Sequence, residues 1–202
     1  MTPYSAAAGT MLSLCLMAAE CLAGPKVDRV RLAVTPAEIE DFLLTDQNGR
    51  PFRLGELRSR GTLVFFGFTH CPGVCPATMF QLRELVERQK QHGSVVPTVV
   101  MISVDGERDT PAAMKSYLEP MSPAFIGLTG DSRDVHRIAK RFSAVFFKGL
   151  PGDASGSYQV EHTSQVYFLD SENRLRATFF EASVDEMAAA VNRLLVDSAG
   201  GT

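Results

Sequence analysis

The stretch TLVFFGFTHCPGVCPATMF, residues 62–80, carries two cysteines at the junction of a predicted strand and a predicted helix. Residues 62–68 are apolar without polar alternation, which is typical of a strand covered on both faces. Apolar residues then recur at helical spacing, which predicts a helix over residues 76–91 with a proline at its first position. Cys75 is therefore expected at the N-cap of this helix, and Cys71 in the loop that precedes it.

Two thiols at a helix N-terminus form a reactive or metal-binding pair. The partial positive charge of the terminus favours thiolate over thiol, and thiolate is both the nucleophile of cysteine chemistry and a ligand for soft metals. The spacing between Cys71 and Cys75 is CxxxC, one residue longer than the CxxC of ordinary disulfide oxidoreductases. The motif alone therefore leaves metal binding and redox exchange both open.

Strands and helices alternate along the rest of the chain. A short strand is predicted at residues 42–44, a strand over 95–104, a helix capped by Thr110, a strand over 125–128, a helix capped by Asp131, a hairpin over 165–180 and a last helix opened by Ser183 and Glu186. This order predicts an α/β, thioredoxin-like fold with a central mixed sheet flanked by helices. Ligands of open α/β sheets bind at the carboxyl ends of the strands, which is where Cys71 and Cys75 fall.

Composition and charge narrow the class of protein. The chain has 202 residues, of which 45% are hydrophobic, so it is long enough for one globular domain with short extensions. Its formal net charge is −3, without a block or stripe of basic residues, which gives no reason to expect nucleic acid or an anionic membrane surface as a partner.

The N-terminal residues resemble an export signal. Residues 11–19 are apolar and shorter than a membrane-spanning helix, Ala23 is a small residue suited to a cleavage site, and Cys21 is a candidate for lipid attachment. Cleavage after Ala23 would leave only the two cysteines of the motif, which excludes a disulfide framework. The predicted organisation is an export signal or anchor at residues 1–24, a linker at 25–37, the thioredoxin-like domain at 38–197 and a tail at 198–202. The predicted localisation is the periplasm or cell envelope, with membrane attachment left open.

His162 is the next candidate for a functional residue, although a lone histidine at such a position is more often a polar residue of a solvated loop and nothing local connects it to the cysteines. It precedes the hairpin strand, and in a thioredoxin-like layout the chain entering that strand passes beside the cysteine motif. Two thiolates and one imidazole form a donor set that suits Cu(I) or Cu(II). A structural zinc site would require a fourth ligand, and none is obvious in the sequence.

The remaining candidates have simpler explanations. His70 adjoins Cys71 and is interpreted as orienting the loop, His92 as helix capping and His136 as part of a solvated helix face. Of the eight methionines, Met79, Met114 and Met187 fall at helical core spacing. The charged loop of residues 105–110 is interpreted as capped and solvated, with hard-metal binding or a place beside the cysteine site, where it would help to dock a partner, as the alternatives.

Four ordered blocks of the chain resemble the SCO/SenC proteins. They are residues 65–76 (FFGFTHCPGVCP), 102–111 (ISVDGERDTP), 125–130 (FIGLTG) and 160–170 (VEHTSQVYFLD). The resemblance runs from about residue 42 to 195, nearly the whole predicted domain, and is far more specific than a lone CxxxC.

The resemblance implies a thioredoxin fold and a copper site formed by Cys71, Cys75 and His162. It also implies a role in assembling the dinuclear copper centre of cytochrome c oxidase, by delivering copper to subunit II or by reducing the cysteines of that subunit. The expected partners are that subunit or a similar copper protein, and a copper donor protein. Members of the family are held at a membrane and face the periplasm or the mitochondrial intermembrane space, and this chain is expected to be a monomer.

Three positions depart from the family pattern. Gly73 stands where an aspartate is usual inside the CxxxC motif, Gly106 where a proline is usual, and Glu161 where an aspartate precedes the histidine. None of these departures removes a predicted ligand. The loss of an acid beside the thiols should shift copper affinity or redox poise.

Two functions remain open from the sequence. The first is a copper metallochaperone, in which Cys71 and Cys75 capture the ion and His162 completes its coordination. The second is a thiol-disulfide oxidoreductase, in which Cys71 and Cys75 are the redox-active pair. A peroxidase-type function is disfavoured because it gives no role to His162.

Overall fold

The structure is a computed structural model that describes residues 28–57, 60–149 and 160–199. The predicted leader at residues 1–24, with Cys15 and Cys21, lies outside the described residues, as does most of the predicted loop at 148–157. Among the helices of the described ranges, none is long and apolar enough to cross a membrane.

An eight-stranded mixed sheet and a two-stranded ribbon make up the β structure of the described residues. The strands are β1 (Val30–Glu38), β2 (Leu43–Asp46), β3 (Pro51–Arg53), β4 (Thr62–Gly67), β5 (Thr98–Ser103), β6 (Ile126–Thr129), β7 (Phe146–Lys148), β8 (Val160–His162), β9 (Val166–Leu169) and β10 (Arg174–Phe179). Their order in the sheet is β1-β10-β9-β4-β5-β6-β2-β3, and β7 pairs with β8 in the ribbon. Strands β4, β5 and β6 are parallel, and the other pairs in the sheet are antiparallel. This confirms the predicted mixed sheet.

Four α-helices connect and flank these strands in the described part of the chain. They are α1 (Val74–Gln91), α2 (Pro111–Leu118), α3 (Ser132–Arg141) and α4 (Val184–Ala199). A short 3-10 helix at Leu54–Leu57 follows β3. Helix α1 connects β4 to β5, and α2 connects β5 to β6, as the alternation of strand and helix in the sequence predicts.

The central strand β4 lies between β5 and β9, and all six of its residues are buried. This confirms the prediction drawn from its apolar run, since a strand covered on both faces has no solvated side to favour polar residues. The chain leaves the sheet at the carboxyl end of this buried strand. Residues 68–73, which contain Cys71 and are called the cysteine loop, begin there.

The predicted helix caps agree with the structure at three positions. Thr110 accepts a hydrogen bond from the backbone N–H of Ala113, and Asp131 accepts one from that of Arg133. Ser183 and Glu186 form the reciprocal bonds of a capping box at the start of α4. These caps are local patterns of sequence, which is why the sequence predicts them well.

Three features differ from the sequence prediction. Residues 30–38 form strand β1 against β10, where a linker was predicted, because Val30 and Leu32 pack partly buried against the core while most other residues of the strand are exposed. Helix α1 begins at Val74 with Gly73 as its N-cap, so Cys75 lies inside the first turn rather than at the cap. The ribbon of β7 and β8 was not predicted, since its strands have only three residues each.

Candidate metal centre

The two cysteines meet where the chain leaves β4 and enters α1. The backbone N–H of Cys71 donates to the carbonyl of Phe68 at 3.3 Å, which turns the loop at the strand end. The backbone N–H of Cys75 in turn donates to Sγ of Cys71 at 3.4 Å. The Cys71 sulfur therefore lies at the amino end of α1, beside a backbone N–H of its first turn.

The two thiols differ in exposure. Cys71 is partly buried and Cys75 is fully buried, and both are free. Burial raises the pKa of the Cys75 thiol well above its ordinary value, and the hydrogen bond with Cys71 and the charges of Cys71 and Asp109 raise it further. Cys71 is therefore the accessible sulfur, while the inner sulfur of Cys75 loses its proton readily only when a cation or another reaction partner compensates the charge.

His162 reaches the cysteines from the ribbon. Its strand β8 pairs with β7, where His162 lies opposite Phe146. Two aromatic rings contact the imidazole edge-on, that of Phe65 with centroids 5.9 Å apart and that of Phe68 at 5.7 Å. These contacts hold the imidazole over the carboxyl end of the central strand.

Hydrogen bonding defines which ring nitrogen of His162 faces the sulfurs. Nδ1 lies 3.2 Å from the carbonyl oxygen of Thr163, and because a carbonyl only accepts, Nδ1 carries the proton of the neutral ring. Nε2 is then the unprotonated nitrogen, and it lies 3.5 Å from Sγ of Cys75, within reach of a hydrogen bond from that thiol. This tautomer is the one that presents Nε2 as a metal ligand.

The geometry of the three side chains fits one small metal ion. Sγ of Cys71, Sγ of Cys75 and a ring nitrogen of His162 all lie within 4.8 Å of one another. With bonds of about 2.3 Å to thiolate and about 2.0 Å to imidazole, as zinc makes them, two ligand atoms lie about 3.5 Å apart across a tetrahedral angle. Among the described residues, no fourth residue with a histidine, cysteine or carboxylate side chain joins this group, so the donor set is two sulfurs and one nitrogen.

A glycine in β4 makes room for the inner sulfur. A Cβ atom built on Gly67 would lie 3.1 Å from Sγ of Cys75 and 2.6 Å from the ring of Phe65. Any side chain at this position would displace one of these groups. Gly67 is therefore required by the close approach of Cys75 to the central strand.

The other sequence candidates do not join the cysteines. His92 is the C-cap residue of α1, as expected, whereas His136 packs its ring against that of Phe146, with centroids 3.9 Å apart. The predicted solvated face therefore describes His136 only in part, because its ring also packs against Phe146, the residue that lies opposite His162 in the ribbon. The methionines predicted for the core, Met79, Met114 and Met187, are buried there.

A second group of potential ligands lies next to the cysteine loop. His70, Asp105 and Asp109 place ligand atoms within 4.8 Å of one another. Asp105 already forms an ion pair with Arg108, and Asp109 accepts hydrogen bonds from Thr69 and Ser103. These carboxylates are therefore engaged with protein donors.

Sequence reasoning missed the position of Asp109. The charged loop was interpreted as solvated, but the structure buries Asp109 completely behind the cysteine loop. The sequence contains one indication of this position. Asp109 follows the strand next to the motif, and ligands of α/β sheets bind beyond the carboxyl ends of the strands.

Comparison with known proteins identifies the relatives of this chain. Residues 31–196 match the SCO1/SenC family. The SCO2-like protein of Rickettsia conorii is 35% identical over 149 residues, which are 73% of this chain and 72% of that protein. Mitochondrial SCO2 proteins are also among the relatives.

Two solved structures extend the likeness to three dimensions. ScoI of Bradyrhizobium japonicum with copper bound has 35% sequence identity and a TM-score of 0.68, and the match covers 78% of this chain and 99% of that one. ScoI of Arabidopsis thaliana with copper bound has 27% identity and a TM-score of 0.74, over 80% of this chain and 99% of that one. Since the family match spans most of the sequence and the fold agrees, the chain belongs to the SCO1/SenC family.

Proposed function

We propose that this chain is a copper-binding protein that assists assembly of the dinuclear copper centre of cytochrome c oxidase. The observation that carries the proposal is the convergence of Cys71, Cys75 and His162 at the carboxyl end of β4. Soft thiolates select Cu(I), and imidazole serves Cu(I) and Cu(II), so the donor set suits copper in either state. The copper-bound structures of two relatives support the same cargo.

The three ligands have different roles in capturing and releasing the ion. Cys71 is the accessible sulfur and would meet an incoming ion first, and Cys75 with His162 would complete the coordination inside. A three-ligand site leaves room for a ligand from a partner, so that copper can pass by stepwise exchange to the cysteines of an acceptor. The acceptor in this proposal is oxidase subunit II or a similar copper protein, and a copper donor protein loads the site.

The proposal also covers the organisation of the chain. Residues 1–24 would export the protein or anchor it, and the domain that follows would act in the periplasm or cell envelope. The apolar stretch and small residues of this segment support that assignment.

Copper titration of the reduced protein tests the proposal. Competition with a chromophoric Cu(I) chelator should give one copper per chain, and Cys71→Ser or Cys75→Ser should abolish tight binding. His162→Ala should weaken binding at least about tenfold, because it removes one of the three ligand atoms. His92→Ala, which alters a histidine at the far end of α1, is the matched control and should bind as the wild type does. Equal affinities for the His162 and His92 variants would refute the ligand assignment.

Delivery is tested with an acceptor. Copper-loaded protein mixed with the metal-free soluble domain of oxidase subunit II should lose its copper to that domain, as followed by the absorption of the acceptor. Retention of all copper by the loaded protein in the presence of reduced acceptor would contradict the role in delivery.

A thiol-disulfide oxidoreductase is a second candidate, which the unequal exposure of Cys71 and Cys75 favours. The thiolate of Cys71 would attack a partner disulfide to form a mixed disulfide and release one partner thiolate. Cys75 would then displace the second, so that the partner gains two electrons and this chain ends with a Cys71–Cys75 disulfide. Cys75→Ser should trap the mixed disulfide on a denaturing gel. If reduced subunit II accumulates without copper transfer, this function takes precedence.

A further inference from the structure

A fully buried carboxylate lies directly behind the cysteine loop. Asp109 has 0% exposure and follows β5, in a turn whose backbone N–H groups of Arg108 and Asp109 both donate to the carbonyl of Asp105. It is not one of the three clustered ligands of the candidate metal centre. Burial of a carboxylate is costly unless hydrogen bonds compensate it, so its partners indicate what it stabilises.

Three hydrogen bonds compensate the Asp109 carboxylate. Oδ2 accepts from the backbone N–H of Thr69 at 3.0 Å and from the hydroxyl of Ser103 at 2.7 Å. Oδ1 accepts from the hydroxyl of Thr69 at 2.6 Å. Two of the three donors thus belong to one residue, Thr69, which precedes Cys71 by two positions.

These bonds join two neighbouring strand ends. Thr69 follows β4, and Ser103 is the last residue of β5, which pairs with β4 in parallel register. The carboxylate therefore ties the start of the cysteine loop to the adjacent strand, and bonds from neutral donors to a charged acceptor are stronger than bonds between neutral groups.

The loop has weak anchors of its own beyond this point. Cys71 donates one bond of 3.3 Å back to Phe68, and its sulfur accepts one long bond of 3.4 Å from the backbone N–H of Cys75. Gly73 caps α1 and has no side chain with which to form a capping hydrogen bond. We propose that Asp109 is a positioning residue for Cys71: by holding Thr69 through both its N–H and its hydroxyl, it fixes the direction in which the chain leaves β4 and so keeps the Cys71 sulfur beside Cys75. This inference rests on the proposed copper function for its consequence, but the contacts it concerns are made only by residues of this chain.

Three variants separate the contributions. Asp109→Ala removes all three bonds, and Asp109→Asn retains an amide oxygen that can still accept from the Thr69 N–H. Thr69→Val removes the hydroxyl, which donates to Asp109 and also lies 3.1 Å from Nδ1 of His70, and it preserves both the backbone bond and the shape of the side chain. The expected order of effect is therefore Asp109→Ala first, with Asp109→Asn and Thr69→Val smaller.

Asp46→Ala is the matched control. Asp46 is also a buried carboxylate that closes a turn, accepting from the backbone N–H groups of Asn48 and Arg50. Its strand β2 runs antiparallel to β6, so this turn lies toward the amino end of β6. The thiols lie at the other end of the parallel strands, beyond the carboxyl end of β4. The control should lose stability without a change at the site.

Two readouts test the proposal on the full chain. In the metal-free protein, the alkylation rate of Cys71 relative to wild type should rise at least about twofold in Thr69→Val and more in Asp109→Ala, because the loop loosens and the sulfur becomes more accessible. In the copper titration, stoichiometry should stay at one while affinity falls about three- to tenfold for Thr69→Val and about 10- to 100-fold for Asp109→Ala, the range typical of groups that support a metal ligand. Asp109→Asn should recover part of the loss.

The outcomes distinguish this inference from the proposed function. A wild-type protein that binds no copper would refute the proposed function, and the alkylation rates would still decide the role of Asp109. Folded Asp109 and Thr69 variants that match wild type in alkylation, or that change no more than Asp46→Ala does, would overturn the inference. If Asp109→Ala does not fold, Thr69→Val decides alone, since it removes a single hydroxyl.

Discussion

Nε2 of His162 lies 3.5 Å from Sγ of Cys75, although 87 positions separate the two residues in the chain. Each is held by contacts of its own element: Cys75 by the first turn of α1, and His162 by the ribbon and by the Thr163 carbonyl. The site is thus held in place by contacts among residues of this chain. A preorganised site loses less free energy to ordering when it binds, so the geometry should favour tight capture.

Gly67→Ala should disturb the inner sulfur. The added methyl would fall 2.6 Å from the ring of Phe65 and 3.1 Å from Sγ of Cys75, so one of them must shift. We expect a loss of stability of about 1–3 kcal/mol, as for other overpacked cores, together with weaker copper binding. Urea denaturation and chelator competition measure the two effects. Gly55→Ala, whose Cβ would lie 3.7 Å from the nearest atom, is the control and should change neither. Wild-type affinity in a folded Gly67→Ala protein would show that the space at Gly67 is not needed for the site.

Local patterns explain what the sequence predicts about this fold. The buried strand β4 and the caps at Thr110 and Asp131 follow from residues that are adjacent in the chain, so the sequence predicts them directly. The sequence does not predict strand β1, because this edge strand is mostly exposed and therefore lacks a clear apolar pattern. It is stabilised by pairing with β10, which lies near the other end of the chain.

The site itself was only partly accessible to sequence reasoning. The CxxxC motif identifies the cysteines, but the approach of His162 depends on a ribbon of two three-residue strands whose pairing is not local. Its proximity was expected from the thioredoxin-like layout and from the resemblance to SCO/SenC proteins, and not from any signal near residue 162. Asp109 was misjudged because its burial results from the packing of two loops, which no local pattern encodes.

Gly73→Asp should slow the reaction of Cys71 with electrophiles. A Cβ at Gly73 would have no atom within 4 Å, so the added side chain starts in open space. Its carboxylate would repel negative charge on the neighbouring sulfur, and we expect alkylation at pH 7 to slow by roughly two- to tenfold. Gly73→Asn has the same shape without the charge and should react close to wild type. An equal slowing in the Asn variant would mean that shape, and not charge, is the cause.

Acid should destabilise the fold through Asp170. Burial alone would raise the pKa of this carboxyl, but the backbone N–H of Arg174 and the guanidinium groups of Arg174 and Arg176 outweigh burial and hold the pKa below its ordinary value. A carboxyl with a lowered pKa in the folded state stabilises the protein above the unfolded-state pKa of about 3.9, and this contribution is lost as pH falls below about 5 through the folded-state pKa.

Urea midpoints at pH 7, 5 and 3 measure the contribution of Asp170. Wild type should lose stability between pH 5 and pH 3, while Asp170→Asn should start from a lower midpoint at pH 7 and depend less on pH. Glu172→Gln, at an exposed carboxyl that pairs with Arg174, should retain the pH dependence of wild type. If Asp170→Asn shows the full acid sensitivity of wild type, other carboxyls are responsible.

Gly106→Pro, which introduces the residue expected from the SCO/SenC pattern, should destabilise this chain. A Cβ at Gly106 would lie 2.2 Å from the carbonyl oxygen of Gly130, and backbone atoms of that loop cannot swing aside as a flexible side chain can. The loop bearing Asp109 would have to move away from β6, with an expected cost of about 1–3 kcal/mol or more.

Gly106→Ala separates this steric effect from the special backbone of proline. Alanine adds only the Cβ that meets Gly130, so it should already show most of the loss in the urea midpoint. Gly73→Ala adds a methyl in open space and is the matched control. Because Asp109 holds Thr69 from the same turn, both Gly106 variants should also speed the alkylation of Cys71, whereas a loss of stability with unchanged alkylation would show that the turn and the cysteine loop move independently.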